Sequence, residues 1–217
     1  MLSPPVLANQ ASLCRLAAQN ASARTGVPQD VLLAITLAET GRSIGGKAQP
    51  WPWSMNTGGQ SHWFATAEEL YSAAESRLSA GATNIDLGCF QLNHRWHAAG
   101  FSSLQAMIDP DQNALYAARF LADLYRETGD WAAAAAAYHS RTPQYANAYR
   151  AKFETILARL QGQSRADADP DEVLLADAAA SPAPAVNRFP LLRAGARGSA
   201  GSLVPLGQAG RRLIGGS

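Results

Sequence analysis

The sequence predicts a predominantly α-helical fold, and three observations carry that reading. Apolar residues recur at helical spacing from Ala11 to Arg24 and through the stretch opened by Pro110. Helix-start residues recur along the chain, at Pro28, Thr66, Pro110, Asp130 and Pro143. Strand signals are weak, leaving room for at most a short ribbon within Gly45–Ser61 or near Ile85–Leu92.

The elements follow in order. After the first helix, Gly26-Val27-Pro28 breaks the chain and a second helix runs from Gln29 to Thr40, with Pro28 suited to its first turn. Thr66-Ala67-Glu68-Glu69 reads as a capping box opening a third helix, which Gly81 closes. Pro110 opens a long helix to Thr128, with Leu115, Phe120, Leu121 and Leu124 among its apolar positions. Asp130 caps an Ala-rich helix to Tyr138, and Pro143 opens the last, ending near Leu160. Trp131, Phe120, Leu124 and Tyr125 stand at core-packing positions and are assigned no chemistry.

Composition narrows the function classes. The 217 residues are 47% hydrophobic and 16% charged, with 18 Lys plus Arg against 17 Asp plus Glu. A net charge of +1 gives no broad electrostatic footprint for nucleic acid. No apolar run approaches the roughly 20 residues that a spanning helix needs. Two cysteines are too few for a disulfide-built scaffold or a four-thiolate zinc module.

The chain divides near Gln161, giving a folded domain over residues 9–162 and a tail over 163–217. The tail is dominated by Ala, Gly, Pro and Ser with one aromatic residue, Phe189, so it has little to bury and is expected to be largely disordered. Its acidic residues (Asp167, Asp169, Asp171, Glu172, Asp177) come before Arg188, Arg193, Arg197, Arg211 and Arg212. Val173-Leu174-Leu175 and Phe189-Pro190-Leu191-Leu192 are its apolar islands. At the other end, the first ten residues lack the charged start and apolar stretch of a secretory signal. Either such a signal was removed or the protein is not exported by that route.

The chemically informative residue is Glu39. It follows Val31-Leu32-Leu33-Ala34-Ile35-Thr36-Leu37-Ala38, a segment apolar on nearly all sides, and precedes Gly41 and Arg42. Burial and the negative end of the helix dipole both disfavour its charge, raising its pKa and suiting it to donate a proton near neutrality. Pairing with Arg42 would work against this. The alternative is a solvated Glu at a frayed helix end.

Glu39 has company further along. Gly88-Cys89-Phe90-Gln91 places a glycine turn before an aromatic residue and a carboxamide, and Ala137-Tyr138-His139-Ser140 and Tyr149 follow. A helix-end Glu, a Gly-x-x-Gln segment, an Ala-Tyr pair and a late Tyr, in that order, resemble the soluble lytic transglycosylase family over about Asn9 to Gln161. The resemblance implies a mostly α, lysozyme-like fold acting on peptidoglycan glycan strands between N-acetylmuramic acid and N-acetylglucosamine. It makes Glu39 the catalytic acid and base, and Gln91, Phe90, Ala137, Tyr138 and Tyr149 the substrate-binding set, with the Tyr138 hydroxyl near the carboxyl group. It implies no cofactor and no metal.

The sequence also departs from the family pattern. Glu-Ser becomes Glu39-Thr40, Gly-Leu-Met-Gln becomes Gly88-Cys89-Phe90-Gln91, and Ala-Tyr-Asn-Ala/Ser-Gly becomes Ala137-Tyr138-His139-Ser140-Arg141. The stretch from Gly41 to Asp86 is longer than in typical members. It looks like the arrangement of transglycosylases dedicated to secretion or flagellar machines, which implies a periplasmic location and machine components, reached through the tail, as partners. Two alternatives stand beside this. One is a hydrolytic muramidase in which Asp86 orients a water, although Asp86 also reads as a turn residue ahead of Gly88. The other is a non-catalytic glycan-binding adaptor.

Trp51-Pro52-Trp53 and His62-Trp63-Phe64 either wall a glycan cleft or pack the insertion. Cys14 and Cys89 form a disulfide if the protein reaches an oxidising periplasm, tying the first helix to the segment bearing Gln91; otherwise they are two buried thiols. His94 and His97 have an i, i+3 spacing, but no ligand set completes a metal site. His139, beside Tyr138, is expected in the cleft.

Overall fold

The structure, a computed structural model, describes residues 4–167. Its first helix, Pro4–Thr25 (α1), starts earlier than the apolar spacing predicts, at the Pro4-Pro5 pair. Proline at the start of a helix loses no bond, because the first N–H groups have no intrahelical partner. Gln29–Thr40 (α2) begins directly after Pro28 and stops at Gly41. Gly41 has an ordinary φ of −61°. It is small because a Cβ there would lie 2.3 Å from the Leu37 carbonyl oxygen.

Two pieces of antiparallel sheet follow. Arg42–Ile44 (β1) pairs with Lys47–Gln49 (β2). Ser54–Thr57 (β3), Gln60–Trp63 (β4), Ile85–Leu87 (β5) and Leu92–Asn93 (β6) form a second sheet in the order β4-β3-β5-β6. The sheet is larger than the ribbon the sequence predicts. Among the described residues no strand exceeds four residues, too few for apolar alternation to register.

Ala67–Ser79 (α3) opens at the expected Thr66 cap with half of the expected capping box, the Glu69 carboxylate reaching Ala65 and not the Thr66 N–H. Thr66 Oγ1 accepts from the Glu69 N–H at 3.2 Å, and the Glu69 carboxylate accepts from the Ala65 N–H at 2.8 Å. Short helices His94–His97 (α4) and Leu104–Ile108 (α5) lead into Pro110–Thr128 (α6), capped by Asp109. Trp131–His139 (α7) is capped by Asp130, and Pro143–Asp167 (α8) extends past the predicted end near Leu160. Gln161, Gln163 and Arg165 are good helix formers, and they carry the helix past Gly162. From residue 168 the predicted tail, with both of its apolar islands, lies outside the described residues.

In packing, α1 lies along α6, α7 bridges α6 and α8, and α2 packs on α8. Leu32, Ile35, Trp51, Phe90, Leu121 and Phe153 are fully buried between them. One short turn, residues 88–91 between β5 and β6, fastens much of this together. Gly88 has φ +78°, and a Cβ there would sit 2.9 Å from the Asn113 side chain. Asn113, fully buried on α6, accepts from the Phe90 N–H at 2.9 Å and donates to Leu87 O and Met107 O. From α2, Thr36 donates to Cys89 O at 2.8 Å. From α7, Tyr138 donates to Phe90 O at 2.7 Å. From α1, Cys14 is disulfide-bonded to Cys89. This helical bundle with its small sheet is a lysozyme-like fold.

Candidate active site

Glu39 lies one residue before the end of α2, where Thr40 is buried behind it. Thr40 Oγ1 donates to Thr36 O at 2.9 Å and accepts from the Trp51 N–H at 3.2 Å. The hydroxyl retained after the glutamate therefore pins the helix end to the insertion. That places the Glu39 side chain, 14% exposed, at the floor of a cleft of about 440 Å³. Asp86, Gln91, Trp96, Tyr138 and His139 line the cleft with it. A larger hollow of about 700 Å³, between Arg15, Leu37, Lys47 and Arg159, has no carboxylate in its lining and does not adjoin Glu39.

Electrostatics single out the same carboxyl. Burial pushes its pKa up to about 7, with the nearby Asp86 adding to the rise. Tyr149 and Lys152 act in the opposite direction. The Lys152 ammonium donates to the Ala38 carbonyl, so it neutralises the negative end of α2. The cation opposing the rise is therefore Lys152 and not Arg42. The Arg42 guanidinium lies 4.9 Å from the Trp51 ring centroid and 5.7 Å from that of Trp63.

The other expected site residues separate into distinct roles. Gln91 lines the cleft with a left-handed φ of +45°. Its amide nitrogen donates to Gly88 O at 2.9 Å and to Ser54 at 3.1–3.2 Å, which fixes the carboxamide plane. The Tyr138 ring lines the cleft, but its hydroxyl is committed to Phe90 O rather than to the Glu39 carboxyl. Burial, followed by the Glu39 charge, raises the pKa of that phenol well above its ordinary value. Tyr149 is buried, and its hydroxyl faces Glu39 closely enough to favour the carboxylate. Among the described groups it forms no well-aligned hydrogen bond.

Phe90 corrects the sequence reading. It is fully buried in the core and cannot touch a ligand, because Asn113 and Tyr138 hold its backbone inward. Ala137 is half-buried and packs against the core. Trp51 and Trp53 pack inside, whereas Trp63 stays 48% exposed. Asp86 is not an Asx-turn residue: it accepts from Asn93 Nδ2 at 2.7 Å and faces the cleft, its pKa raised by burial. His97 bonds Tyr116 at 3.1 Å, a packing role.

Sequence reasoning missed two contributors. Trp96 is 69% exposed at the cleft, with Arg95 over its ring at 4.9 Å. Lys152 lies 114 residues from the carbonyl it caps. No local signal marks either one.

The fold is lysozyme-like, and its cleft brings the buried Glu39 carboxyl together with Asp86. Residues 61–156 match the family described as Transglycosylase SLT domain, which supports placing the chain with the lytic transglycosylases. The matched segment includes Asp86, Gln91, Tyr138 and Tyr149 and begins after Glu39, so the role of Glu39 rests on its geometry. No curated protein and no solved structure gives a significant match.

Proposed function

We propose that this protein cleaves peptidoglycan glycan strands between N-acetylmuramic acid and N-acetylglucosamine, leaving 1,6-anhydromuramic ends, with Glu39 as acid and then base. One observation carries the reading: a buried carboxyl poised at about 7, on the floor of a cleft in a chain that matches the SLT family. A group with a pKa near the working pH exists in both protonation states, as a residue with two proton-transfer roles requires.

Most glycosidases use two carboxylates. Here protonated Glu39 donates to the glycosidic oxygen while the substrate's N-acetyl carbonyl stabilises the developing positive charge. The Glu39 carboxylate then takes the proton from the C6 hydroxyl of the same muramoyl sugar, and that oxygen closes onto C1. An intramolecular hydroxyl outcompetes water when the cleft holds it in place. The Tyr149 hydroxyl and Lys152 stabilise the carboxylate formed between the two steps.

A second reading is favoured by Asp86, which faces the same cleft and is electrostatically coupled to Glu39. It could orient a water and make the protein a hydrolase. Mass spectrometry of products from purified peptidoglycan separates the readings: anhydro ends support the first and reducing ends the second. Absence of products from wild type favours a glycan-binding adaptor. The setting we propose is the periplasm, where Cys14–Cys89 is stable, with local opening of the wall for an envelope-spanning secretion or flagellar assembly.

A further inference from the structure

We propose that His139 is a positioning residue for Glu39, and that the reaction proceeds only while its imidazole is neutral. This rests on the acid–base role proposed above and adds a second group to it. The Ala-Tyr-Asn segment that this stretch resembles has an amide at this position, where this chain has a titratable ring.

The ring is held from behind. It stacks on Tyr149 with centroids 4.4 Å apart and planes 8° from parallel, and Tyr149 is only 6% exposed. This places Nδ1 4.0 Å from Glu39 Oε1. The His139 side chain is 44% exposed against 14% for Glu39, so it is the solvent-facing neighbour of a buried acid.

At 4.0 Å a neutral ring leaves the proton on Glu39. An imidazolium would do two harmful things. It would pair with the carboxylate, weakening it as the base for the C6 hydroxyl. It would also set a positive charge beside the sugar carbon that itself becomes cationic, in a site where charges are poorly screened.

The charged and titratable groups around the pair come from four elements. Lys152 and Tyr149 project from α8, Tyr138 from α7, Asp86 from β5 and Glu39 from α2. Burial, then the Lys152 charge, pushes His139 below its ordinary value, which keeps the ring neutral where Glu39 is still protonated. Asp86, raised by burial, is the other group able to titrate on the acid side. Activity is therefore confined between His139 protonation below and Glu39 ionisation, at about 7, above.

The test is the pH profile of kcat/KM on purified peptidoglycan for wild type, H139N, H139F, D86N and E39Q. Wild type is expected to lose about tenfold per pH unit on the acid side of its optimum. H139N and H139F flatten that limb through kcat while leaving the alkaline limb in place. H139F keeps a ring to stack on Tyr149, so its flattening cannot come from lost packing. Both variants retaining the wild-type acid limb, or D86N alone removing it, overturns the role of His139. E39Q distinguishes the two levels: turnover by E39Q sinks the acid–base reading itself, whereas an inert E39Q with unchanged His139 profiles sinks only this inference.

Discussion

The floor and the rim of the cleft are built on different principles. At the floor, the 88–91 turn is held by Asn113, Thr36, Tyr138 and a disulfide, and the end of α2 that bears Glu39 is held by Trp51 at Thr40 and by Lys152 at the Ala38 carbonyl. At the rim, Trp96 is 69% exposed and the His139 side chain 44%, with Arg95 against the first and Tyr149 against the second. Chemistry that depends on a perturbed acid needs the first kind of surroundings, since a loose shell would admit water and restore an ordinary pKa. Recognition of a long polymer tolerates the second.

Substitutions can break or sharpen that contrast. The largest effect is expected at Glu39 itself, where E39Q removes turnover by about 10³-fold or more, read by product release. The same variant tests burial through stability. A carboxyl raised from 4.5 to about 7 stabilises the fold below pH 4.5, and that contribution is lost as pH rises through about 7. E39Q should therefore unfold like wild type at pH 4 and be more stable by about 3 kcal/mol at pH 8, measured by denaturant melts.

Next comes the disulfide, which closes a 75-residue separation, so C14S/C89S is expected to cost about 4 kcal/mol. N113A strips partners from the Phe90 N–H and the Leu87 and Met107 carbonyls, and should lose about 2–3 kcal/mol along with most activity. At the rim, W96A is expected to raise KM several-fold and leave the melting curve within about 0.5 kcal/mol of wild type. A W96A protein that unfolds early would place Trp96 with the floor.

The sequence conveyed the helices well, because Pro28, Thr66, Pro110, Asp130 and Pro143 announce their own starts. The place of Glu39 at the end of α2 was legible for a related reason: an apolar run ending in a carboxylate is a local pattern. The sheet was not, since strands such as Lys47–Gln49 expose both faces and carry no alternation. Nor were Asn113 and Lys152. Each is a polar residue on an amphipathic helix, and only tertiary packing sends one into the core and the other to the end of α2. Aromatic residues announce their size but not their direction, so Trp53 and Trp96 read alike and end on opposite sides of the protein surface.

The most direct measurement is a carbon-detected NMR titration of glutamate-labelled protein, with E39Q assigning the Glu39 carboxyl signal. A midpoint near 7 is the predicted result. A midpoint near 4.5 would mean that water reaches the group freely, and the proposed two-step proton transfer would have no foundation.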